Sequence, residues 1–165
     1  MVNARQTEFE RTAIPHLASL LRFASRLAPD SAAAHDLVQE TYLRAWRAFD
    51  QLKTDSNVRA WLFRILINTS YSANRKAMPT VPLADLAEFS EPSRGNSIEE
   101  SLEVLEALDA LTNDHKQVII LTVMEGFTCR EASEILGVPQ GTVMSRLSRA
   151  REALREALTP RLQKV

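Results

Sequence analysis

The chain has 165 residues, 45% apolar and 25% charged, a composition that suits a folded globular protein and excludes disorder along its whole length. Its single cysteine, Cys129, excludes an intramolecular disulfide framework, and with only His16, His35 and His115 as further soft ligands a cysteine-rich zinc site is excluded too. No apolar run is long enough to cross a bilayer and MVNARQTEFERT lacks the apolar core of a signal peptide, so a cytoplasmic location without membrane insertion is the expectation.

Only four glycines occur, no Asn-Gly or Asp-Gly hairpin turn is present, and Ala, Leu, Arg and Glu dominate. The expected fold is all-α. The net charge of −1 conceals a division in three. Residues 1–76 carry 11 basic and 7 acidic groups, residues 77–115 one basic and 9 acidic, and residues 116–165 8 basic and 5 acidic. Two mildly basic ends thus flank an acidic middle, a layout that permits nucleic-acid binding where the overall charge argues against it.

From Phe9 to Ala28, apolar residues at Phe9, Ala13, Leu17, Leu20, Leu21, Ala24 and Leu27 form a helical stripe, which Pro15 kinks or restarts. Pro29-Asp30-Ser31 ends it. The next helix, about 31–49, sets Leu37, Val38, Tyr42, Ala45, Trp46 and Phe49 on one side, with Asp36, Gln39, Glu40, Arg44 and Arg47 largely on the other. After the loop 50–55, a helix from about Asn57 to Lys76 carries a buried stripe of Val58, Trp61, Leu62, Ile65, Leu66 and Thr69. Arg64, Asn68, Ser72 and Arg75 recur at i, i+4, i+8 and i+11 and share another face, with Tyr71 and Lys76 near it. Such a face is either plain solvated surface or a place to hold phosphates and an unpaired base.

Residues 77–96 contain Pro79, Pro82, Pro92 and Gly95 without a helical period and read as a flexible linker, reaching about 70 Å at full extension. Two small helical domains follow from this, 1–76 and 97–165. In the second, Ser97 to Glu100 form a capping box that opens a helix to about Ala110, apolar at Ile98, Leu102, Leu105, Leu108 and, just beyond, Leu111. A helix at about 113–125 is expected to bury Val118, Ile119, Leu121 and Val123. Thr128 to Glu131 form a second capping box for a short helix ending at Leu136. Gly137-Val138-Pro139 makes the turn, and a last helix runs to about Leu158.

Short helix, tight glycine turn and long helix make a helix-turn-helix, whose angle Ala132, Leu136, Val138, Val143 and Leu147 can fix. The last helix would enter a major groove with Gln140, Met144, Ser145, Ser148 and Arg149 outward, while Arg146, Arg151 and Arg155 add charge for phosphates.

The runs HDLVQETYLRAWRAFDQL and NVRAWLFRILINTSYSANRK, followed by GFTCREASEILGVPQGTVMSRLSRAREALREAL, resemble the extracytoplasmic-function (ECF) sigma factors, the smallest members of the bacterial sigma-70 family. The resemblance covers about 12–76 and 98–158, in the family's order. It implies a subunit that binds core RNA polymerase, reads the −35 element of a promoter through the C-terminal domain, and engages and helps melt the −10 element through the N-terminal one. It implies no catalytic site and no cofactor. The face of Asp36, Gln39, Glu40, Arg44 and Arg47 matches the surface that docks on polymerase. Ala48, Leu52, Phe63, Ile65 and Asn68 match a pocket for a flipped −10 base, where an apolar wall accepts the base face and an amide both donates and accepts. Met144, Ser145, Ser148 and Arg149 match the −35 contacts, with Met144 where a basic residue often stands. An anti-sigma protein is a further implied partner, and the free protein is expected to be a monomer.

Two alternatives stand beside this reading. An autonomous repressor or activator explains the helix-turn-helix but leaves the N-terminal domain without a purpose. An enzyme would need Cys129 to have a placed base, and the sequence gives it none.

Overall fold

Proline has no N–H and its ring crowds the preceding turn, which disfavours it inside a helix. In the computed structural model, which describes residues 3–74 and 98–162, helix α1 (Ala4–Ala13) gives way around Pro15 to one 3-10 turn at Ile14–His16 and then to α2 (Leu17–Leu27). The Ala13 carbonyl, near the end of α1, accepts a hydrogen bond from the Tyr42 hydroxyl at 2.8 Å. The tighter turn shifts the helical phase, and Leu17, expected in the apolar stripe, is exposed instead.

The chain divides into two units, Met1–Ser90 and Glu91–Val165. All regular structure among the described residues is helical. In the first unit α3 (Ser31–Ala48) and α4 (Val58–Asn74) pack with α1 and α2. Asp30 caps α3 by accepting from the Ala33 N–H at 2.7 Å, and Asn57 caps α4 through the Ala60 N–H at 3.0 Å. Leu20, Phe23, Ala34, Val38, Ala45, Leu62, Phe63, Leu66 and Ile67 form the core. Phe23 and Phe63 meet edge to face, their centroids 5.3 Å apart. A second aromatic group ties α1 to the end of α3, with Phe9 edge-on to Tyr42, Trp46 and Phe49.

In the second unit α5 (Ile98–Asp109), α6 (Asn113–Ile119) and α7 (Cys129–Leu136) all pack on the long α8 (Gln140–Leu162). The expected linker 77–96, the Ser97 capping box, Arg75 and Lys76 lie outside the described residues. Of the α5 stripe, Leu108 and Leu111 are buried but Leu102 is exposed. The expected regular helix 113–125 is not regular: Ile120–Met124 form a π turn, in which the Glu125 N–H bonds the Ile120 carbonyl five residues back at 2.9 Å. The wider turn accommodates an extra residue and rotates Val123 outward, 57% exposed where burial was expected.

Helix α8 also outruns its expected end, continuing through Thr159-Pro160, with the Thr159 hydroxyl donating to the Arg155 carbonyl at 2.6 Å. No helix among the described residues is long and apolar enough to cross a membrane.

Candidate nucleic-acid interface

The turn between α7 and α8 is fixed at both ends by local chemistry. Thr128 accepts from the Glu131 N–H at 3.1 Å, and the Glu131 carboxylate accepts from the Thr128 N–H at 2.8 Å, a full capping box. At the other end Gly137 takes φ 66°, a left-handed conformation that costs a residue with a Cβ. The N–H groups of Gly137 and Val138 both reach the Ser133 carbonyl, wrapping the chain off the helix. Ala132, Val143, Leu147 and Ala150 are buried and lock α7 against α8.

This burial decides what α8 shows to solvent. Gln140, Met144, Ser145, Ser148, Arg149 and Arg151 are all exposed, as a groove-reading helix requires. Arg146 departs from expectation. Its guanidinium bonds Asp114 of α6 at 3.1 Å and its side chain is only 24% exposed, so in this conformation it braces α6 against α8 instead of standing free for a phosphate. Arg155 pairs with Glu152 on its own helix, which raises its pKa. Cys129 begins α7 and lies with Met144, Ser148 and Arg151 along a groove beside α8.

On α4, Arg64, Asn68 and Ser72 form one exposed stripe, with Tyr71 beside it at 41% exposure. Ser72 donates its hydroxyl to the Asn68 carbonyl at 3.2 Å, which leaves its lone pairs facing out. Ala48, Leu52 and Ile65 are half-buried. Phe63, matched to the same pocket, lies in the core. It is completely buried against Phe23, with Arg59 over its ring at 5.4 Å, and stands about 140° around the helix from Asn68.

On α3, Asp36, Gln39 and Arg47 are exposed, and Glu40 and Arg44 are half-exposed and joined at 2.7 Å. That hydrogen bond holds the Glu40 carboxyl below its ordinary range. Leu43, which the charge pattern conceals, is 51% exposed among them. An exposed leucine ringed by charge gives the face an apolar centre.

Comparison with known proteins sets this geometry in a family. Residues 14–80 match the family model for Sigma-70 region 2, and residues 101–154 that for Sigma-70, region 4. Over 149 residues the chain is 36% identical to the ECF RNA polymerase sigma factor SigL of Mycobacterium tuberculosis, covering 87% of this chain and 84% of that one. The chain belongs to the ECF sigma factors. Over 140 residues it is also 39% identical to the ECF sigma factor EcfG of Rhodopseudomonas palustris, covering 82% of this chain and 77% of that one. Among solved structures, the sigma factor RpoE from Bartonella quintana, in complex with the anti-sigma factor NepR, matches with a TM-score of 0.78 at 32% identity, covering 93% of this chain and 98% of that one. CnrH, in complex with the cytosolic domain of CnrY, matches with a TM-score of 0.70 at 27% identity, covering 94% and 90%. This sigma factor binds core RNA polymerase and directs it to promoter DNA.

Proposed function

We propose that this sigma factor divides promoter recognition between two helices. The exposed face of α8, with Gln140, Met144, Ser145, Ser148, Arg149 and Arg151, reads the −35 duplex. Arg149 serves as a bidentate donor to a guanine, and Arg151 as a phosphate contact. The stripe of Arg64, Asn68 and Ser72 on α4, together with Ala48, Leu52 and Ile65, captures the melted −10 strand, with Arg75 as a further contact. The face of Asp36, Gln39, Glu40, Arg44 and Arg47 on α3 docks on core polymerase around Leu43.

The observation that carries this reading is the exposed stripe on α4. Amide, hydroxyl and guanidinium groups stand in line beside an exposed tyrosine, donors and acceptors for a base edge next to an aromatic face for stacking. Strand opening is driven by that capture, which competes with a stacking cost of about a few kcal/mol per step. The chemistry of RNA synthesis belongs to polymerase, and this chain supplies no catalytic group. Its place of work is the cytoplasm, where polymerase and promoter are. The solved relative RpoE, in complex with the anti-sigma factor NepR, supports an anti-sigma protein as a partner.

Run-off transcription with bacterial core polymerase tests the proposal. Discrete start sites that require this protein, with −35 and −10 elements at matching distances upstream, are the expected result. Tight, specific duplex binding by the protein alone without transcription would contradict it and favour an autonomous regulator.

A further inference from the structure

Helix α1 precedes residue 14, where the match to region 2 begins, yet it reaches into the loop that follows α3. Arg5 makes three contacts there. Its Nε bonds the Asp50 carboxylate at 2.8 Å, its Nη2 bonds the Trp46 carbonyl at 2.6 Å, and its guanidinium lies 3.8 Å from the centroid of the Trp46 ring. The Trp46 carbonyl also accepts from the Phe49 N–H, and its second lone pair, at the negative end of the α3 dipole, attracts a cation. Stacking on the indole adds a cation–π contact and holds the planar fork in one orientation.

Asp50 lies in the 3-10 turn Phe49–Gln51, from which the loop to α4 departs. The same turn is held a second time from α1, by the Phe9 ring against Phe49 at 5.1 Å. The loop is closed locally by the Leu52 N–H on the Phe49 carbonyl and the Ser56 N–H on the Lys53 carbonyl. At its far end Asn57 caps α4. The start of the loop therefore takes its position from α1 as much as from α3. Leu52, one of the residues proposed to meet the −10 base, follows Asp50 by two positions.

We infer that Arg5 is a positioning residue for −10 selectivity: through Asp50 and the end of α3 it sets where the loop 50–55 presents itself to the unpaired strand. The inference rests on the proposed role of Leu52 within that loop. An arginine fork, anchored on a rigid indole, spans a carboxylate and a carbonyl at once. A lysine supplies the charge but has neither the second planar donor nor the stacked plane.

The test is run-off transcription by holoenzyme over promoters carrying each base at each −10 position, with Arg5→Ala, Arg5→Lys, Asp50→Asn, Arg5→Ala/Asp50→Asn and Leu52→Ala. Circular dichroism verifies folding and a binding assay measures core affinity. Leu52→Ala should change the ratio between preferred and disfavoured bases. Arg5→Ala should lower that ratio by about threefold or more, the size of coupling between contacting residues, with core affinity kept. Arg5→Lys should restore only part of it. The double variant should lose no more than the larger single loss, since both substitutions remove one linkage. A folded Arg5→Ala protein with unchanged selectivity, while Leu52→Ala changes it, overturns the role of Arg5 and leaves that of the loop. Unchanged selectivity in both overturns the loop reading and this inference with it. Loss of core affinity in step with selectivity overturns it too, by placing the action of Arg5 on the docking face of α3.

Discussion

Helices α4 and α8 both carry exposed polar faces, each proposed to meet DNA, but they are built in opposite ways. Around α8 the core is mostly aliphatic, with Phe127 its buried aromatic among the described residues, and the exposed side is largely polar or charged, with Met144 a large apolar exception. Its aim is set by a capped turn, through Thr128, Glu131 and Gly137. Around α4 the core is richer in aromatics, with Phe9, Phe23 and Phe63, and the exposed stripe lies between half-buried Ile65 and exposed Tyr71. The difference follows the state of the DNA each is proposed to meet. A duplex offers only edges and phosphates, so a rigid rod of donors suffices. An unpaired strand offers base faces as well, and a surface that holds it needs apolar and aromatic area beside its polar groups.

The largest expected effect separates core from interface on α4. Phe63→Ala should cost about 3–5 kcal/mol, as for other buried phenylalanines, and unfold the first unit while the second still melts as before. Phe63→Leu, which keeps most of the volume, should retain both fold and promoter opening. Denaturation followed alongside permanganate footprinting checks this, and opening lost in a stably folded Phe63→Leu protein would place Phe63 in the pocket.

Arg149→Ala comes next. It should cost about 1–3 kcal/mol in −35 recognition, concentrated at one base pair, and leave core affinity intact. Binding measured over a set of singly substituted −35 sequences resolves it; an even loss at all positions would make Arg149 a phosphate contact.

A smaller effect is expected at Arg146, whose ion pair with Asp114 makes it a brace. Arg146→Ala and Asp114→Asn should each lower the stability of the second unit by less than about 1 kcal/mol. The salt slope of DNA binding should hardly move in Arg146→Ala, whereas a phosphate contact would remove about 0.9 from it.

An effect confined to high pH belongs to Tyr42, whose phenol burial pushes up to about 12 from 10.0. Between those values the unfolded chain has released this proton and the folded protein still holds it. The stabilisation is therefore complete below pH 10 and lost as pH rises through 12. Tyr42→Phe should flatten that part of the stability–pH curve, measured by urea unfolding at each pH.

Much of this was legible because local chemistry fixed it. The Thr128 cap, the end of α7 at Leu136 and the Gly137 turn fall where the sequence signals put them, since caps and left-handed glycines act over a few residues. Periodicity failed where the period changed. The 3-10 turn at Pro15 exposed Leu17, and the π turn at Ile120–Met124 exposed Val123. The burial of Phe63 was not legible, because a position matched to a pocket carries no information about burial in this chain. Leu43 was hidden by the charges around it. Arg5 gave no signal at all, because its partners lie more than forty residues away and only the fold brings them together.

The division of labour between α8 and α4 is tested most directly by paired footprints on one promoter, comparing Arg149→Ala and Asn68→Ala holoenzymes. DNase protection reads −35 occupancy and permanganate reads opening at −10. Asn68→Ala should protect the −35 element while leaving the −10 thymines unreactive. Arg149→Ala should lose −35 protection, yet open the −10 region when its concentration is raised enough to fill the promoter. Parallel loss of both signals in both variants would contradict the division.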